Sequence, residues 1–116
     1  MSFDGSCKCG AVSFTVDAAL PTEAISCNCS HCRRKGFLLA AVPADKFTLA
    51  SGADAQIEYR FNTEKIAHKF CATCGCQAFS EGVDKDGKDT RMVNLRCVPE
   101  ADLGALKIIE YDGANH

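Results

Sequence analysis

An all-β sandwich or open barrel of short antiparallel strands is the architecture this sequence predicts. Three observations carry that prediction. Apolar residues alternate with polar ones in short runs, as in strands with one face buried. Gly, Pro, Asp and Ser separate those runs at close intervals, and no segment sustains helical periodicity over several turns. Nine cysteines, most of them in tight clusters, add covalent or metal staples to a chain of 116 residues.

The elements follow in order. Val12, Phe14 and Val16 alternate with Ser13 and Thr15, a half-buried strand that Pro21 ends. Ile25 to Cys29 reads as a second strand. Ser30 to Lys35 reads as one helical turn, with Ser30 as N-cap and Gly36 as its stop. Phe37 to Val42 is a continuous apolar run, the pattern of a strand covered on both faces. Pro43 to Lys46 is a turn, and Phe47 to Ala50 a short strand ended by Ser51-Gly52. Ile57, Tyr59 and Phe61 alternate with Glu58 and Arg60. Ile66, His68 and Phe70 alternate with Ala67 and Lys69 and deliver the chain to Cys71. Gln77 to Glu81 follows. Asp86-Gly87 marks a hairpin turn whose return strand runs from Met92 to Val98. Pro99 to Leu106 reads as a loop with a helical turn, Lys107 to Tyr111 as a last strand, and Gly113 to His116 as a frayed end.

Residues 1–116 have the length of one domain with a real core. The formal net charge of -2 excludes a broad basic nucleic-acid surface. No run approaches the roughly 18 apolar residues of a membrane span. The opening Met1-Ser2-Phe3-Asp4-Gly5 lacks the features of a signal peptide, so a cytoplasmic location is expected. Disulfides are rare there, and nine thiols cannot all pair. The spacings C-x-C (Cys7, Cys9), C-x-C-x-x-C (Cys27, Cys29, Cys32) and C-x-x-C-x-C (Cys71, Cys74, Cys76), with Cys97 alone, suit metal knuckles instead. Zinc is the default ion for such thiolates, with iron sharing the ligand type.

Cys7 and Cys9 with Cys71 and Cys74 make the best closed, structural set; the alternative is a group of buried free thiols. Cys27, Cys29 and Cys32 supply three ligands and leave a corner open, the layout of a catalytic zinc; the alternative is a second closed site completed by Cys76. Three thiolates leave the ion with net negative charge. An entering thiolate adds more, which Arg33 and Arg34, permanently charged, are placed to offset unless they are ordinary solvated side chains. His31 is a candidate to relay a proton or orient a bound group, or else an exposed helical histidine. His68 reads as a packed core residue. Cys97 reads as a buried inert thiol, with a nucleophile or redox role as the sharper alternative.

Gly5-Ser6-Cys7-Lys8-Cys9-Gly10, Cys27-Asn28-Cys29-Ser30-His31-Cys32-Arg33, Phe70-Cys71-Ala72-Thr73-Cys74-Gly75, Val93-Asn94-Leu95-Arg96-Cys97 and Asp112-Gly113 together resemble the glutathione-dependent formaldehyde-activating family, also called the centromere-protein-V type. The resemblance runs nearly end to end. It implies an Mss4-like fold and two zinc ions per chain, the second sometimes only partly occupied. The structural zinc would sit on Cys7, Cys9, Cys71 and Cys74, and the second on Cys27, Cys29 and Cys32. It implies a carbon-sulfur lyase, similar to S-(hydroxymethyl)glutathione synthase, whose partners are glutathione and a small aldehyde, with neither nucleic acid nor membrane involved. Cys76 departs from the family pattern, which usually has a small polar residue there. Two other functions compete. One is a thiol-dependent redox enzyme of the methionine-sulfoxide reductase type, since Leu95-Arg96-Cys97-Val98 has a faint likeness to that site. The other is a non-catalytic zinc-binding interaction module. The oligomeric state is open in the sequence.

Overall fold

The computed structural model describes residues 1–60, 66–84 and 86–115. Among the described residues, ten strands form two sheets. In the smaller, β1 (Phe3–Ser6), β2 (Ser13–Val16) and β5 (Phe47–Ser51) lie in the order β1-β2-β5. The larger contains β3 (Glu23–Cys27), β4 (Leu39–Pro43), β6 (Gln56–Tyr59), β7 (Ala67–Cys71), β8 (Phe79–Val83), β9 (Asp89–Asn94) and β10 (Lys107–Tyr111). Its order is β10-β3-β4-β9-β8-β7-β6. The all-β expectation therefore holds.

The alternation in the sequence is what closes the two sheets on each other. Phe14 from β2 and Phe47 from β5 stack at 5.1 Å, and both reach Phe79 of β8, at 6.3 and 4.7 Å. Phe14, Phe79, Val16, Val93 and Leu95 are almost wholly removed from water. Each such side chain contributes about 1.5–3 kcal/mol by burial. A second, smaller apolar cluster, Cys32, Phe37 and Leu39 with Ile25 and Met92 around it, lies under the Cys27–Cys32 segment. The first metal candidate thus belongs to the main core and the second to its own satellite.

Several expectations need correction. Phe3–Ser6 is a strand, which the sequence reading left unassigned. The strands are not all antiparallel: β10 runs parallel to β3, with Lys107 opposite Glu23 and Tyr111 opposite Cys27. Ser30 is not the N-cap. Helix α1 is Cys32–Lys35, His31 occupies the cap position without a side-chain bond, and the Ser30 carbonyl accepts from Arg34 Nη1 at 2.7 Å. Gly36 does stop it, at φ 70°, with its N–H bonded to the Cys32 carbonyl. The run from Phe37 is a strand only from Leu39, and Ala41 is exposed rather than covered.

The return strand ends at Asn94, where the side chain accepts from Arg96 N and turns the chain into a 3-10 segment, Leu95–Cys97. Cys97 is therefore on a turn and not in a strand. Asp86-Gly87 makes the expected hairpin between β8 and β9, Gly87 lying at φ 81° with its N–H on the Asp84 carbonyl. Gly113–Asn115 does not fray; it is a 3-10 turn tied to the second cysteine cluster. Phe61 and His116 lie outside the described residues. Among those described, no helix is long and apolar enough to cross a membrane.

Candidate metal centres and the cavity between them

Two groups of thiols form. Sγ atoms of Cys7, Cys9, Cys71 and Cys74 all lie within 4.8 Å of one another. The hairpin between β1 and β2 supplies the first two, because Gly10 at φ 83° turns the chain tightly enough for Cys7 N to bond the Val12 carbonyl. The last residue of β7 and the turn after it supply the others, with Gly75 at φ 79°. Cys7–Cys9 is 3.7 Å and Cys9–Cys71 is 3.6 Å. Four sulfurs about 2.3 Å from a tetrahedral zinc stand about 3.8 Å apart, whereas a disulfide needs about 2.05 Å. The donor set fits a closed tetrahedral ion. Backbone N–H groups prepare it: those of Cys76 and Cys9 hold the Cys74 thiol down at about 5, and those of Cys74 and Thr73 lower that of Cys71.

The second group is Cys27, Cys29 and Cys32, whose sulfurs also fall within 4.8 Å of one another. Among the described residues no fourth Cys, His, Asp or Glu joins them at that distance. Cys76 turns the other way. Its carbonyl accepts from Cys71 N at 2.9 Å, and its side chain packs on the main core with Cys97. The second closed site is thus not formed through Cys76.

Burial raises the thiols of Cys27 and Cys32. Burial acts upward on Cys29 too, but hydrogen bonds from the Cys32 N–H, the Cys32 thiol and the His31 N–H outweigh it and bring that thiol below its ordinary value. Three soft ligands, one already biased to thiolate, fit zinc with an open corner.

The parallel strand β10 completes the surroundings of this trio. Asn28 Nδ2 donates to Asp112 Oδ1 at 3.0 Å, and Asn28 Oδ1 accepts from Ala114 N at 2.9 Å. Gly113 is thereby pressed onto the cluster: a Cβ there would stand 2.5 Å from Cys27 Sγ. Only glycine fits.

Beside the trio lies a cavity of about 710 Å³. Cys27, Cys29 and Cys32 form part of its wall, and Ile25, Leu39, Ile66, Val83 and Met92 its large aliphatic side chains. A second cavity, of about 560 Å³, is lined by Ser30, His31, Arg34, Lys35, Tyr59 and Phe70. Lys35 Nζ sits 5.0 Å above the Phe70 ring. Arg33 is exposed and lines neither cavity, so the two arginines part company.

His31 belongs to one cavity and His68 to the other, and their rings are 4.1 Å apart. Gln77 joins them: its Oε1 is 3.4 Å from His31 Nε2, and its Nε2 is 3.2 Å from His68 Nδ1. An amide so oriented donates to His68 Nδ1, which leaves the proton of the neutral ring on Nε2. Burial, then the nearby His31 and Lys35, push His68 down to about 4; burial also lowers His31.

His31 is half-buried and stacked on Tyr59 at 5.5 Å, not an exposed helical side chain. His68 is buried as expected, yet it faces a cavity. Gln77 escaped the sequence reading; a polar residue directly after a cysteine knuckle was its only trace. Cys97 lines neither cavity. Burial, followed by the other thiols, pushes it up to about 11, the opposite of an activated nucleophile.

Comparisons with known proteins agree with this geometry. A crystal structure of a Rhodobacter sphaeroides protein superposes with a TM-score of 0.77 at 29% identity, covering 91% of this chain and 99% of that one. The family model described as glutathione-dependent formaldehyde-activating enzyme matches residues 2–107. With its paired cysteine clusters on a two-sheet β-fold, the chain belongs to the glutathione-dependent formaldehyde-activating enzyme family.

Proposed function

We propose that this protein is a zinc-dependent carbon-sulfur lyase that makes and breaks the adduct between a glutathione-type thiol and an aldehyde. One observation carries the reading: three thiols converge on one point, no fourth ligand closes it among the described residues, and a cavity opens beside it. The four-cysteine set would be structural, clipping the first hairpin to a turn more than sixty residues away.

Zinc on the trio would lower the pKa of an entering thiol so that it reaches the site as thiolate near neutral pH. The chain's own groups then act on the substrate. Arg34 and Lys35, in the aromatic-sided cavity, hold the carboxylates of a glutathione-type thiol. His68, neutral and protonated on Nε2, is the donor for the carbonyl oxygen. The thiolate sulfur attacks the carbonyl carbon, a C–S bond forms, and the π-electron pair moves to oxygen. That oxygen takes up, through solvent, the proton the thiol released and gives the hemithioacetal, His68 serving only as hydrogen-bond donor. The reverse breaks the C–S bond and returns thiol and aldehyde, with no change in oxidation state.

Titration of glutathione into the cobalt-substituted protein tests this. A change in the cobalt–thiolate spectrum is expected. A silent spectrum, or four sulfurs already around the second ion by X-ray absorption with no thiol added, overturns it.

A further inference from the structure

We propose that the carbonyl partner handled at the trio is an aliphatic aldehyde with a chain of several carbons, seated in the 710 Å³ cavity, rather than a one-carbon unit. The inference deepens the lyase reading and rests on it. Its grounds lie in how the two cavities divide size and charge.

A one-carbon aldehyde needs about the space of a water molecule, on the order of 30 Å³. The cavity beside the trio is more than twenty times larger. Ligand sites of that size ordinarily bury a whole drug-sized molecule. The peptide part of a glutathione-type thiol does not suit it. Such a thiol carries two carboxylates, and the described lining holds neither Lys nor Arg. Its one formally charged group other than the thiols and His68 is Asp84, of the wrong sign. The cationic groups, Arg34 and Lys35, lie across the His31–His68 partition in the other cavity. Among the described residues, charge thus sends the peptide to one side and leaves the apolar side for the carbon partner.

The apolar wall is also exposed in a way that asks for a ligand. Ile66 is 46% and Val83 53% exposed, both facing this cavity, while Ile25, Leu39 and Met92 continue the wall down to the trio. An alkyl chain leading away from a carbon bonded at the thiolate would cover them. Chemistry at the reacting carbon is as described above: C–S forms, the carbonyl π bond opens, and oxygen is protonated. The chain attached to that carbon changes only what surrounds it.

The test uses the zinc-loaded full chain and S-methyl-, S-butyl- and S-hexylglutathione as non-reacting probes. Affinity should rise about two- to fourfold per added methylene. Methyl resonances of Ile66, Val83 and Met92 should shift with the longer probes. Val83→Glu, at an exposed position where folding is not at risk, should reduce the S-hexyl affinity to that of S-methyl. In the exchange reaction followed by NMR, kcat/KM with glutathione should be at least tenfold higher for hexanal than for formaldehyde. A flat chain-length dependence, methyl shifts elsewhere, or a preference for formaldehyde overturns the proposal while leaving the lyase reading standing. A chain-length ladder with a cobalt spectrum silent to glutathione removes the lyase reading instead, and the aldehyde assignment with it.

Discussion

The imidazole rings of His31 and His68 lie 4.1 Å apart, and Gln77 is hydrogen-bonded to both. Two rings in contact, one buried and one half-buried, cannot both carry charge cheaply. The amide reconciles them by accepting from one and donating to the other. Gln77→Leu should remove both bonds and cost about 1–3 kcal/mol in urea unfolding of the zinc-loaded protein. Gln77→Glu should instead raise the His68 pKa by about 1–3 pH units, because a carboxylate favours the charged ring. Urea unfolding checks the first and histidine NMR titration the second.

The low His68 value has a consequence for acid stability. Its folded pKa is about 4, against an ordinary 6.5. Between those values the unfolded chain binds a proton that the folded chain refuses. The stabilisation is therefore complete above about pH 6.5 and is lost progressively as the pH falls towards 4. His68→Gln should flatten that part of the stability–pH curve, measured by thermal unfolding at fixed free zinc.

The two cysteine clusters should fail differently. Cys71 is buried in the main core, and Cys71→Ser should leave the chain unfolded or stable only at low temperature, since a closed zinc site contributes on the order of 10 kcal/mol. Cys29→Ser should keep the fold and lower the zinc content from two ions per chain to one. Elemental analysis with circular dichroism separates the two outcomes.

Gly113 tests how tightly the trio is enclosed. Gly113→Ala puts a methyl 2.5 Å from Cys27 Sγ. The sulfur or the turn must move. Affinity for the second zinc should fall about tenfold or more, within the 10–100-fold range of lost supporting contacts, with the Cys71 cluster unaffected. Competition with a chromogenic chelator measures both sites.

Arg34 and Arg33 give a matched pair. Arg34 lines the cationic cavity and Arg33 does not. Arg34→Ala should raise KM for a glutathione-type thiol by about tenfold, the cost of one charge-assisted contact. Arg33→Ala should change it by less than about twofold, as a surface charge acting through solvent does.

Local signals made much of this molecule legible. Alternation at Phe14 and Val16 and the Asp86-Gly87 turn specify strands and a hairpin through interactions a few residues long. Cysteine spacing marked both thiol groups because a knuckle is itself a local structure. What the sequence hid depends on distant pairing. Nothing near Lys107 to Tyr111 announces a parallel partner, since the hydrogen-bonding direction is set by where β3 lies. Gln77 looks like an ordinary polar residue until β7 and α1 bring two imidazoles to it. Arg33 and Arg34 are adjacent in sequence, yet on a helix neighbours diverge by about 100°. Their separation follows from α1 having formed at all.

The parallel pairing of β10 with β3 also sets a timetable. Asn28 and Ala114, which meet beside the trio, are 86 positions apart. During synthesis more than eighty residues are added after Cys32 before that neighbour arrives. Until then the trio lacks the Asn28–Ala114 tie and the cover of Gly113. Expression at slow elongation or under oxidant should therefore reach this trio while that cover is missing.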